Sequence, residues 1–391
     1  MFKDPANCLF IDNPSTAPLS MRSIVRIVDI TREKLRPSNP DNLFFEIERD
    51  HVPDDFFRGD VVADHSEKHR ERHLIFGTEE QTKLLKSAKC WFLDRTSRLI
   101  DKPFVEIISI HGAYPIPSKK DLKQVQLLYV FMSSRKVKDY SIVFEKILEM
   151  LGHDHCVKQI VFNFSKSVLQ ALEQNFPTVS LYGCPFQWAQ TVLKKFKSLG
   201  LIPLYERYES VQKLCSQVLA LHLLPGKDIP KAFYSLKAKA GELKLSEQNS
   251  ERLMQFFGYV EETWITNSVW TPERWSVFMQ PVMRTDVDAW HRQLKSIPKL
   301  RVNLETEDFY TLVFLLYKRL NATWPKEELQ LVSQKQQTKI LRKRSMTHLA
   351  YCLYKHWDSY NDGDLTELHL LKLCSDVFLE RYDLNFVDCA S

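Results

Sequence analysis

Apolar and polar positions change rhythm three times along this chain. Up to residue 45, Pro, Asn, Asp and Ser dominate, with one β-like segment at 23–28. Residues 50–72 are polar and charged, which predicts an extended arm or loop. From residue 73, short apolar runs predict strands at 74–76, 90–94, 104–111, 124–132, 159–164 and 179–182. Between them, helical spacing predicts helices at 79–88, 140–151, 166–176 (stopped by Pro177) and 186–199 (ending on Gly200). Beyond Gly200 no segment reads as a strand. Helical patterns run through 204–224, 228–241, 246–262 and 272–294, the last broken at Pro281, and then through 305–320, 326–343, 345–359 and 366–378. Three consecutive strands followed by strand–helix alternation predict an α/β sheet, with a meander on one side and crossovers on the other.

Composition narrows the classes. With 391 residues, 44% hydrophobic and 12% aromatic, the chain suits a globular protein of two or three domains. Ten glycines are few for this length and disfavour phosphate-loop and glycine-fingerprint folds. The excess of 54 Lys and Arg over 49 Asp and Glu is a mild basic lean, compatible with nucleic acid without demanding it. Eight scattered cysteines without a C-x-x-C pair predict free thiols in a reducing compartment, nucleus or cytosol. No signal peptide is visible, and no apolar run approaches the ~18 residues of a membrane span.

Three segments carry candidate chemistry. The first is Leu84-Leu-Lys-Ser-Ala-Lys-Cys-Trp-Phe-Leu-Asp-Arg-Thr96, an apolar strand ending on Asp94, preceded by His73-Leu-Ile-Phe-Gly-Thr78 and followed by a strand closing on His111-Gly112. The second joins Ile160-Val-Phe-Asn-Phe-Ser-Lys-Ser167 to Gly183-Cys-Pro-Phe-Gln187. The third runs from Trp275 to Val287-Asp-Ala-Trp-His-Arg292.

In this order and at these separations, the segments resemble the transposase domain of Mutator-like elements over roughly residues 73–296. The resemblance implies an RNase H-like core: a mixed five-stranded sheet with flanking helices, an all-α insertion and an α-helical C-terminal region. The implied division is an N-terminal arm at 1–72, the core at 73–200, the insertion at 201–271, a third-acid helix at 272–298 and the tail at 299–391. It also implies two Mg²⁺ or Mn²⁺ ions held by three acids, which stabilise the attacking and leaving oxygens of a phosphodiester. Those positions fall on Asp94, Asn163 and Asp288.

This chain departs from the pattern where the chemistry would lie. Asn163 replaces an acid and loses its charge, and Asp288 replaces Glu and reaches less far by roughly 1.5 Å. Ser165 stands for the second acid of the family's D-F-E, and Gln187 for the histidine of G-C-x-F-H. Arg95 stands for a glycine, a position from which an arginine could pair with Asp94 and take the place of a metal. Cys184 reads as a buried small hydrophobe. His291 and Arg292 follow Asp288 on one helical face, where an Asp288–Arg292 pair is the simpler reading. The concentration of changes predicts impaired cleavage, with an active D-N-D transposase and a DNA-free interaction scaffold as alternatives.

DNA is the implied partner, with other proteins or self-association as further options. Lys194, Lys195 and Lys197 form one basic cluster, and Lys339, Arg342, Lys343 and Arg344 form another that also suits nuclear import. His65, His69 and His73 are spaced by four, yet their segment reads as a solvated charge run. No Cys or His set with zinc-ligand spacing stands at either end, so sequence-specific recognition is not expected from this chain.

Overall fold

The structure is a computed structural model and describes residues 37–67, 69–97, 99–115, 122–152, 154–280, 308–323 and 348–379. Its centre is a seven-stranded mixed sheet. The strands are β1 (Phe57–Ser66), β2 (His69–Phe76), β3 (Cys90–Thr96), β4 (Glu106–Pro115), β5 (Leu122–Met132), β6 (Gln159–Phe162) and β7 (Ser180–Gly183). They lie in the order β1-β2-β5-β4-β3-β6-β7. Pairing is antiparallel from β1 across to β3 and parallel from β3 to β7.

Two of these strands depart from expectation. Residues 57–66 and 69–76 pair as a hairpin, where the pattern predicts an arm or loop up to residue 72 and a short strand only at 74–76. Charge pairs across the hairpin compensate for its scarcity of apolar residues: Arg72 Nε lies 2.6 Å from Asp60 Oδ2, and Arg70 Nε lies 2.8 Å from Asp64 Oδ1. The sheet thus has seven strands rather than five. The β-like segment at 23–28 lies outside the described residues.

The helices on the sheet are α1 (Glu79–Ser87), α2 (Val137–Leu151), α3 (Lys166–Asn175) and α4 (Pro185–Ser198). Local chemistry sets their ends. Thr78 and Gln81 form a reciprocal capping box at the start of α1, and Gly152 closes α2 at φ 70°. After α4 come α5 (Ile202–Arg207), α6 (Glu209–Ala220), α7 (Ile229–Gly241), α8 (Glu247–Val260) and α9 (Pro272–Trp275). Then follow α10 (Phe309–Thr323), α11 (His348–Asn361) and α12 (Glu367–Leu379). No described residue beyond Gly200 is in a strand, as the pattern predicts. No helix among the described residues is long and apolar enough to cross a membrane.

The two faces of the sheet differ. One is apolar: Trp91, Leu93, Ile108, Ile110 and Val130 pack with Leu85 of α1 and with Tyr140, Phe144 and Ile147 of α2. On the other face, the β1 side is covered by a second apolar cluster. There Leu74, Phe76, Ile107 and Phe131 meet Phe56 and α10, whose Phe309 contacts the rings of Phe45, Phe76, Phe104 and Phe131. Toward the centre the same face turns polar, and the candidate site lies there. The C-terminal helices pack on the insertion: Trp357 Nε1 donates to Leu223 O at 2.8 Å, and Tyr360 Oη donates to Asp228 Oδ2 at 2.7 Å.

Candidate functional site

Parallel pairing of β3 with β6 positions the first two candidate residues. The paired register ends at Phe92 opposite Val161. Asp94 stands two residues further along β3, which runs on to Thr96, and Asn163 directly follows β6, at the carboxyl edge where open α/β sheets place their chemistry. Asp94 is 2% exposed and Asn163 is half-buried. Asn163 O accepts from Ser165 N at 2.7 Å, which turns the chain out of β6. Ser165 then caps α3, its Oγ accepting from Val168 N. In this structure Ser165 therefore serves a helix start.

Cys184 does the same for α4. It is buried, its N–H donates to Phe162 O at 2.9 Å, and its carbonyl accepts from Trp188 N. Pro185 follows at the first helical position, where a missing N–H costs nothing. One turn into α4, Gln187 Nε2 donates to Asp94 Oδ1 at 3.4 Å. The structure thus brings Gln187 of α4 to Asp94 of β3, with Asn163 just past the end of β6, the strand that pairs with β3.

Arg95 behaves otherwise than expected. It does not take the place of a metal beside Asp94; its guanidinium grips Glu106, with Nη2 2.7 Å from Oε2 and Nε 3.1 Å from Oε1. The reason is the two-residue period of a strand, which sends Asp94 and Arg95 to opposite faces. Glu106 is 2% exposed, and it also receives Arg135 Nε at 2.9 Å and the Tyr140 hydroxyl at 2.5 Å. This is a buried charge cluster under the apolar face, apart from the candidate site.

Two further polar residues on the Asp94 face were not among the expected site residues. Ser109 is directly opposite Asp94 on β4, and its Oγ lies 2.8 Å from His111 Nε2. Both are buried. Opposite His111 is Gln126, whose Oε1 accepts from the Tyr129 hydroxyl at 3.2 Å. The sequence signal was the alternation Ile-Ser-Ile-His over 108–111, which puts two polar side chains on one face of an otherwise apolar strand.

The remaining expectations divide by location. Asp288, His291, Arg292, Lys339, Arg342, Lys343 and Arg344 lie outside the described residues. Lys194 is exposed, and Lys195 and Lys197 are half-buried, all on the C-terminal half of α4. His65, His69 and His73 sit on the β1–β2 hairpin rather than on a helix. His65 Nε2 and His73 Nε2 lie 2.7 and 3.3 Å from one oxygen of Asp139, and His69 pairs with Glu71. Ser133 N donates to His73 Nδ1, so the His73 proton sits on Nε2. Burial raises the Asp139 carboxyl, but hydrogen bonds from His73, Ser134 and His65 together outweigh it and hold the group below the usual carboxylate range.

Among the described residues, the donor set at the sheet edge does not by itself suffice for a pair of divalent ions. Among the described residues it offers one carboxylate, Asp94, with an amide at Asn163 and an amide donor at Gln187 already on Oδ1. Hard cations need several anionic or neutral oxygens, and an N–H donor aimed at the carboxylate competes with them. Among the described residues, no group of three or more His, Cys, Asp or Glu is placed to hold a metal ion. Compared with known proteins, the chain matches no family model and no curated protein.

Proposed function

We propose that this chain is a transposase-derived protein of the Mutator-like type that binds DNA in the nucleus without cutting it. The single observation that carries the reading is the state of Asp94: buried and hydrogen-bonded by Gln187, on the strand that pairs with the one Asn163 follows. A carboxylate in that setting lies near the end of a central strand, as a catalytic acid would, and among the described residues it belongs to no group of three or more His, Cys, Asp or Glu that could hold a metal ion. The strand order supports the descent. Strands β5, β4 and β3 form an antiparallel meander, and β6 and β7 add parallel strands through helical crossovers, as expected of an RNase H-like core.

The test uses purified full-length chain with supercoiled plasmid in Mg²⁺ or Mn²⁺, and a labelled duplex for binding. The expected result is no nicking by the wild type, together with duplex binding that weakens steeply as salt rises. Metal-dependent nicking by the wild type that disappears in Asp94→Asn would overturn the non-cutting half of the proposal. Absence of duplex binding at low salt would overturn the other half.

A further inference from the structure

The helix that delivers Gln187 to Asp94 continues that face as an exposed stripe. Thr191, Lys194 and Ser198, all exposed, follow the half-buried Gln187 at spacings of four, three and four residues, so they share one face of α4. Phe186, Ala189, Val192, Leu193 and Phe196 occupy the buried face. Lys194 follows Gln187 by seven residues, two turns, or about 10 Å along the axis. Lys195 and Lys197 flank the stripe.

A second helix continues this surface. On α8, Arg252 and Tyr259 are also seven residues apart and share a face. Lys195 Nζ sits 5.3 Å from the centroid of the Tyr259 ring. At the other end, Arg252 Nη1 is 3.7 Å from where a Cβ on Gly200 would lie, two residues past the end of α4. The two faces therefore run side by side in opposite directions, 195 next to 259 and 200 next to 252. Neutralising the α4 macrodipole accounts for Lys195 and Lys197 in the last turn. It accounts neither for Lys194 nor for Arg252, which sits mid-helix on α8.

We propose that this α4–α8 strip is the DNA-contacting surface of the protein, binding the phosphate backbone of a duplex from about two helical turns beyond the Asp94 edge. This rests on the DNA-binding reading above and adds where the partner lies. Lysine and arginine on two packed helices present fixed positive charge to phosphates, which positions a duplex without reading its sequence. The exposed Glu251 beside Arg252, which holds the Gln255 amide at 3.2 Å, opposes that binding.

The experiment is a fluorescence-anisotropy titration of the full chain with a labelled duplex of arbitrary sequence across a salt series. Each protein's thermal melt serves as a fold check. Lys194→Ala with Arg252→Ala should weaken binding about tenfold at moderate salt and lower the slope of log K against log salt by about two. Glu251→Gln should tighten binding. Lys83→Ala, which removes a lysine paired with Glu79 on α1, should leave both affinity and slope unchanged. Wild-type affinity and slope in the double variant would overturn this surface while leaving DNA binding by the protein intact. No duplex binding by the wild type at low salt would remove both the surface and the function it serves.

Discussion

Gly183 closes β7 directly before the turn that presents Gln187, and its missing side chain is what lets Phe164 cross the strand end. A Cβ built there would lie 2.2 and 2.4 Å from Cε1 and Cζ of the Phe164 ring. Carbon atoms pack at about 3.5–4.0 Å, so Gly183→Ala demands a displacement of roughly 1.3 Å. The ring has little room to yield. It stands edge-on to Trp264 at 4.6 Å and to Trp270 at 5.1 Å, and both tryptophans are buried. Overpacking of this kind costs about 1–3 kcal/mol, and the depth of the clash puts Gly183→Ala near the upper end. The assay is a double-mutant cycle with Phe164→Ala, read by urea unfolding. Phe164→Ala alone should cost about 3 kcal/mol, the lower end for phenylalanine because the ring is only half-buried. In its background, Gly183→Ala should cost almost nothing further, giving a coupling of about 2 kcal/mol. The reasoning is refuted if Gly183→Ala lies within about 0.5 kcal/mol of wild type, or if the two losses simply add.

Three further outcomes follow from buried titratable groups. Burial pushes His222 down from its ordinary 6.5 to about 4, against an opposing hydrogen bond to Leu219 O. The folded protein therefore disfavours the proton, so stability should be full above pH 6.5 and decline by about 3 kcal/mol as pH falls toward 4; His222→Phe should flatten that part of a urea stability–pH profile, and a profile unchanged by the substitution would count against it. Asp139 is also lowered, which for a carboxylate means the folded protein favours the charged form, so its contribution should be complete above its ordinary 3.8 and be lost as pH falls below that; Asp139→Asn should remove this acid-side loss and cost about 2 kcal/mol at neutral pH, read by thermal melts in matched buffers. Glu106→Gln should destabilise by about 3 kcal/mol, because it leaves the Arg95 guanidinium without its buried partner, whereas Arg135→Gln, at the solvent edge, should cost less than about 1 kcal/mol; equal losses in chemical denaturation would contradict the asymmetry.

By itself the sequence determined the middle of the fold. Apolar runs at 90–94, 124–132 and 159–164 and the helical period over 140–151 mark strands and a helix because burial selects apolar side chains at the spacing of each element. Helix stop signals were legible too, in Pro177 and Gly200. Of the hairpin at 57–76 only the apolar run 74–76 was legible, because the rest carries pairs such as Asp60–Arg72 and Asp64–Arg70, which depend on register between strands and leave no apolar rhythm. At the candidate site the sequence determined which residue types stand at 94, 163 and 187. Only the tertiary structure decided their company. Cross-strand pairing put Ser109 opposite Asp94, helix α4 brought Gln187 to its carboxylate, and the strand period turned Arg95 away to Glu106. Those relations join positions up to 93 residues apart in the chain, and packing, rather than local preference, brings them together.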